Sequence, residues 1–211
     1  MIKAVIFDLD GTLLDSMPYW KGLAGQCLRD IGIEPRENID EEVKTFTFRQ
    51  SAEYFREKYG VTLSVNEMLD IMNKVIGDRY KYDIPLKAGA EELLRRLSAR
   101  GIKMCVATSS ERTNALAALT RLGVIDYFSE ILTCSDLNCD KTEPTIYRVA
   151  ADKLGVKREE TAVVEDALYA LRTAKKDGFV AVAVFDHSEP EGDEMRELAD
   201  YYVTELSELN I

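Results

Sequence analysis

The sequence predicts an α/β fold: a doubly wound, mostly parallel sheet with an α-helical domain inserted near its start. Three observations point there. Short apolar runs recur along the chain, beginning at Ala4–Phe7, and they are continuous rather than alternating, as suits parallel strands covered on both faces. Single helical patterns lie between these runs, the order that a doubly wound sheet produces. Between Asp15 and the helical pattern starting at Glu91 no run reads as a strand, and a structureless loop of that length is not expected inside a compact domain.

Taken in order, strands are expected at Ala4–Phe7, Lys103–Thr108, Glu130–Thr133, Thr161–Glu165 and residues 179–184, with Tyr201–Val203 as a weaker one. The helix predicted over residues 91–100 carries Leu93, Leu94 and Leu97 on one face and ends in an Arg-rich turn before Gly101, a proper stop. The pattern repeats at residues 114–122, with Leu116, Leu119 and Leu122 before Gly123, at Thr145–Leu154 before Gly155, and at Leu168–Lys176 before Gly178. In the inserted interval, Met17, Trp20, Leu23, Ala24, Cys27, Leu28 and Ile31 follow helical spacing. Ala52, Phe55 and Tyr59 mark a second helix, and Met68, Met72, Val75, Ile76 and Arg79 a third, with Gly32, Pro35, Gly60 and Pro85 as punctuation. Residues 16–83 are therefore expected to be a helical domain, and residues 1–15 with 84–211 the sheet domain. The Met and aromatic stripes of the insert read as its own core.

Composition narrows the function. The chain has 211 residues, 46% of them hydrophobic and 31% charged, an ordinary globular balance. Its formal net charge of −11 leaves no basic stripe to neutralise phosphates, so neither nucleic acid nor an anionic membrane is an expected partner. A small anionic substrate remains compatible if a few Lys or Arg residues or a metal ion attract it locally. The run Ala4–Phe7 is short and interrupted by Asp8, so no signal peptide is expected, nor is any stretch long enough to span a bilayer. Cys27, Cys105, Cys134 and Cys139 contain no CxxC pair. Cys134 and Cys139 as a disulfide or half a metal site is the minor reading, and free thiols in a reducing cytoplasm the expected one.

Four clusters can carry chemistry, and in three of them Asp8, Thr108 and Asp166 fall at or just past a strand's carboxyl end, where ligands of such sheets bind. In VIFDLDGTLLDS (residues 5–16), a turn explains Asp10 and Gly11. It does not explain Asp8, which is costly at the end of a buried strand unless paired or bound to a metal. Two crowded carboxylates suit a divalent cation, or a division of labour between an ionised nucleophile and an acid of raised pKa. Thr108, Ser109 and Ser110 follow a strand and open a helix; they suit helix capping or a phosphate oxygen. Lys141 in DKTEP, alone, reads as a solvated charge. Glu165 and Asp166 end the apolar strand TAVV and repeat the question of Asp8.

The order of these clusters, and above all DLDGTLLDS, resembles the haloacid dehalogenase (HAD) superfamily over nearly the whole chain, in particular the phosphoglycolate phosphatase and beta-phosphoglucomutase subgroup. The resemblance implies a Rossmann-like core, a helical cap domain after the first motif, and a Mg²⁺-dependent phosphatase hydrolysing a small phosphorylated metabolite. A cytoplasmic location is expected from the cysteine usage, and a monomer because no exposed apolar stripe is obvious. It implies Asp8 as the nucleophile forming an aspartyl-phosphate, and Asp10 as general acid and then base. Thr108, Ser109 and Lys141 would bind the phosphoryl group. Asp8, Asp166 and the backbone carbonyl of Asp10 would hold Mg²⁺, with Glu165 supporting the metal through water. Arg49, in FRQSAEY, resembles the substrate-contacting Arg of the cap.

Three positions depart from the family pattern: Thr142 stands where relatives carry Pro, Ala167 where they carry Ser, and Tyr169 where they carry Gly. A Tyr there narrows the expected approach to the site. A phosphosugar mutase is the alternative, weakened because the chain's single His, His187, lies outside the insert. Lys21 and Lys44 lack a context that would make either a Schiff-base lysine. A non-catalytic binding protein on the same fold is the remaining alternative.

Overall fold

The structure, a computed structural model, describes residues 1–43 and 46–211; Lys44 lies outside the described residues. The chain divides by its internal contacts into two compact units, Met1–Asp15 with Pro85–Ile211, and Ser16–Ile84.

The first unit begins with strand β1 (Ala4–Phe7), which is wholly buried, as its unbroken apolar run requires. The chain then enters the helical unit through α1 (Met17–Trp20), α2 (Leu23–Asp30), α3 (Ile39–Glu42), α4 (Phe48–Tyr59) and α5 (Val65–Tyr82). The periodic run over residues 17–31, expected as one helix, is two. Lys21 is extended and Gly22 adopts φ +94, a left-handed conformation that glycine tolerates and that ends a helix. Trp20 packs at this break against Phe48 and Tyr80, with ring centroids 6.0 and 6.4 Å away. Helices α4 and α5 each start at a reciprocal capping box, Thr47 with Gln50 and Ser64 with Glu67; such a cap is worth about 1 kcal/mol. Ala52, Phe55, Met68, Met72, Ile76 and Tyr80 are buried, so the Met and aromatic stripes are the core of this unit.

The first unit resumes with α6 (Ala90–Ala99), β2 (Lys103–Thr108), α7 (Arg112–Arg121), β3 (Glu130–Thr133), α8 (Cys134–Leu137) and α9 (Thr145–Leu154). It ends with β4 (Thr161–Glu165), α10 (Leu168–Lys176), β5 (Val180–Val184), α11 (Gly192–Leu198) and β6 (Tyr201–Val203). On α7 the buried face is Ala115, Ala118 and Leu119, while Leu116 is exposed. Of the expected leucine stripe, Leu119 is buried, Leu122 is half-buried and Leu116 is turned outward, with Ala115 and Ala118 completing the packed face.

The six strands are all parallel, in the order β3-β2-β1-β4-β5-β6. Successive crossovers run one way from β1 to β3 and the other way from β4 to β6. Their direction reverses between β1 and β4, the place where open α/β sheets bind ligands beyond their strand ends. Phe7 pairs with Val164 on one side and Val106 on the other. This register brings Asp8, Thr108 and Glu165 out at the same end of adjacent strands. Among the described residues, no helix is long and apolar enough to cross a membrane.

Candidate active site

Asp8 leaves β1 with its backbone N–H still bonded to Val164 O at 2.9 Å. The chain then turns tightly: Gly11 N donates to Leu14 O at 2.9 Å, and Leu14 N donates to Leu9 O at 2.8 Å. Gly11 has φ +77, and a Cβ there would lie 2.1 Å from Asp166 Oδ2. Only glycine lets this turn approach the carboxylate so closely. Thr12, wholly buried, donates from Oγ1 to Asp166 Oδ1 at 2.9 Å.

Lys141 is not the solvated charge that its sequence context alone suggested. It is 3% exposed, and its ammonium donates to Asp8 Oδ1 and, at 2.9 Å, to Glu165 Oε1. The same Oε1 accepts the Tyr147 hydroxyl at 2.6 Å. Asp10 Oδ2 accepts from Ser110 Oγ at 2.5 Å, and Ser110 N donates to Thr108 Oγ1 at 3.0 Å. The hydroxyls after β2 therefore do not cap α7, whose N-cap is Glu111 without a side-chain bond; one of them holds Asp10 instead.

Three buried acids, Asp8, Glu165 and Asp166, place carboxylate oxygens within 4.8 Å of one another, and Lys141 is the ammonium bonded among them. Burial raises the Asp8 carboxyl well above its ordinary range; Lys141 opposes this, while Glu165, Asp166 and Asp10 add to it. Burial, then the charge of Glu165, lifts Asp166 to about 7, against the Thr12 bond and Lys87. Burial alone would make Lys141 lose its proton more easily, yet Asp8 and Glu165 outweigh it and hold the ammonium charged. Burial and Glu165 push the Tyr147 hydroxyl up, so it stays a donor. The cluster sets three carboxyl groups beside the single ammonium of Lys141, in an all-oxygen donor set. That is the environment a hard divalent cation suits.

Ser109 is exposed, with Oγ 3.7 Å from Cys134 Sγ. Arg49 is exposed on the first turn of α4. Tyr169 is half exposed, and burial together with Glu165 raises its hydroxyl to about 12. All four cysteines are free, and His187 is exposed and packs on Phe185. The structure adds partners that local reading did not single out: Thr12, inside the DGT turn, and Tyr147, on the apolar face of α9. Lys87 and Asp186, whose side chains meet at 2.7 Å, had no local signal because they are far apart in the chain.

A parallel sheet that gathers a buried Asp, a Lys and an acidic cluster at the reversal of its strand order defines an α/β enzyme with a carboxylate centre fit for a divalent cation. Residues 2–178 match the family model described as haloacid dehalogenase-like hydrolase, and the chain belongs to that family. It is 32% identical over 195 residues to the beta-phosphoglucomutase of Bacillus subtilis, covering 87% of this chain and 83% of that one. It is 26% identical to the phosphorylated carbohydrates phosphatase of Thermotoga maritima, covering 90% and 88%. Its fold matches that of CbbY from Rhodobacter sphaeroides, in a structure with xylulose-(1,5)bisphosphate, at a TM-score of 0.80 and 24% identity over 100% of this chain and 97% of that one. The protein is thus a member of a phosphatase and phosphomutase family, with relatives named for both activities.

Proposed function

We propose that this hydrolase is a Mg²⁺-dependent phosphatase that acts on a small phosphorylated metabolite through a phosphoryl group carried on Asp8. The observation that supports it most is the position of Lys141, bonded at once to Asp8 and Glu165 inside the acidic cluster. A nucleophilic carboxylate needs a fixed cation beside it to accept an anionic phosphoryl group, and Lys141 is that cation.

In this reading an Asp8 oxygen attacks phosphorus, and the bond from phosphorus to the leaving oxygen breaks. Asp10, oriented by Ser110, donates a proton to that oxygen. Asp10 then takes a proton from water as the water oxygen attacks phosphorus, which frees Asp8 and releases inorganic phosphate. Thr108 and Ser109, with Lys141, hold the phosphoryl oxygens, and Arg49 is the proposed substrate contact in the helical unit. Asp8, Asp166 and the Asp10 carbonyl would hold Mg²⁺, with Glu165 supporting it through water; when bound, the ion supplies further charge to offset the transferring phosphoryl group.

The names of the relatives favour a phosphorylated carbohydrate as substrate. The resemblance to beta-phosphoglucomutase supports a second reading, in which the phosphoryl group returns to the sugar at a different position. Phosphate release from a panel of sugar phosphates, with Mg²⁺ or a chelator and with Asp8→Asn as control, separates the two. Mg²⁺-dependent release that Asp8→Asn abolishes supports the phosphatase. Isomerised sugar phosphate without net release supports the mutase. Folded protein that does neither overturns both.

A further inference from the structure

The proposed chemistry leaves one buried ion pair unused. The side chains of Lys87 and Asp186 are 15% and 6% exposed, and Lys87 Nζ lies 2.7 Å from Asp186 Oδ2. The same ammonium donates to Phe185 O at 2.8 Å and to Gly11 O. Its three protons therefore each have an acceptor. Both partners are fixed from behind: Lys87 N donates to Leu13 O at 2.8 Å, and Asp186 Oδ1 accepts from Ser188 N at 2.8 Å and Ser188 Oγ at 2.7 Å.

The sheet order gives this pair its meaning. Strand β4 lies between β1 and β5, and Asp166 follows directly on β4. Lys87 ties the loop after β1, at Gly11, to the loop after β5, at Phe185 and Asp186. It thus spans the strand end that carries Asp166. Gly11, whose carbonyl it grips, is the residue packed against the Asp166 carboxylate, with no room even for a Cβ. Stability alone is a poor reason for such a pair, because a buried ion pair is often no more stabilising than apolar residues of the same size.

We infer that Lys87, held by Asp186, is a positioning residue for Asp166 and so for divalent-cation binding. This rests on the reading of the acidic cluster as a metal site. Partners behind a metal ligand typically change affinity by about 10–100-fold when removed.

The test is Mg²⁺ titration by calorimetry on the full chain, without substrate. Lys87→Met combined with Asp186→Asn removes both charges together, so the net charge near the carboxylates is unchanged. The inference predicts a Kd raised about tenfold or more, measured at a temperature well below the melting transition of the metal-free variant. It also predicts faster hydrogen exchange over residues 9–14, where the turn is held by its own backbone bonds. If the double variant does not fold, Lys87→Arg, which keeps the charge but not the geometry of the three bonds, is predicted to raise the Kd in the same way. A Kd within about twofold of native, well short of that range, overturns the positioning role and leaves the metal site standing. A native protein that binds no Mg²⁺ overturns both.

Discussion

Lys141 Nζ lies 2.9 Å from Glu165 Oε1 while the same ammonium bonds Asp8 Oδ1, so one buried cation serves the carboxylates of two adjacent strand ends. Replacing it by Met leaves those carboxylates buried with no partner charge. The expected loss of stability is about 3–5 kcal/mol, together with complete loss of phosphate release. Chemical denaturation measures the first. Adding Mg²⁺ restores part of the stability and none of the turnover, if the cation and the lysine act on different oxygens.

Tyr147→Phe keeps the ring contact with Phe179, whose centroid is 6.2 Å away, but removes the donor to Glu165 Oε1. Leaving this buried carboxylate one bond short costs about 1–3 kcal/mol. Turnover falls less than in Lys141→Met, because Lys141 still holds Glu165. Parallel melting and kinetic measurements on the two variants test that order.

Gly11→Ala forces a Cβ to within 2.1 Å of Asp166 Oδ2 at a backbone φ of +77. The turn or the carboxylate must move, and a displacement of about 1 Å at a reacting centre costs about 100-fold in rate. Gly178→Ala is the control. It has φ +90 and nothing within 4 Å of a Cβ, so it carries only the left-handed backbone cost of about 1–2 kcal/mol and leaves the rate unchanged. Steady-state kinetics of the pair separates site geometry from backbone strain.

Asp177 gives a prediction on pH. The Arg148 hydrogen bond holds its carboxyl below the ordinary range, against burial and with help from Arg158; Arg148 Nε lies 2.9 Å from Oδ2. A carboxylate whose folded pKa is lowered stabilises the fold above its unfolded value of about 3.9 and loses that contribution as pH falls through the folded value. Asp177→Asn is therefore expected to melt at a lower temperature than native at neutral pH. The difference closes as the pH drops below the ordinary carboxylate range. Melting curves across acidic pH read this directly.

What the sequence made legible was local. The strands of the sheet ran as unbroken apolar stretches, and Thr145–Leu154 and Leu168–Lys176 end as expected before Gly155 and Gly178. Asp8, Asp10 and Gly11 stood within one short motif. What it hid depended on distant partners or on very short elements. Helix α8 is a single turn over Cys134–Leu137, too short to show a period. The break at Gly22 interrupts a hydrophobic stripe that continues on both sides of it. The burial of Lys141 is set by Asp8 and Glu165, 133 and 24 positions away. Lys87 and Asp186 meet across 99 positions, and no window of sequence contains them both.

In the proposed reaction Asp8 itself carries the phosphoryl group. Acid quenching during turnover, followed by mass spectrometry of the peptide containing residues 4–15, tests it most directly. A phosphoryl group is expected on Asp8 in the native protein, formed only with Mg²⁺, and none in Asp8→Asn, which releases no phosphate. Phosphate release that continues in Asp8→Asn, with no phosphorylated peptide in either protein, would contradict it.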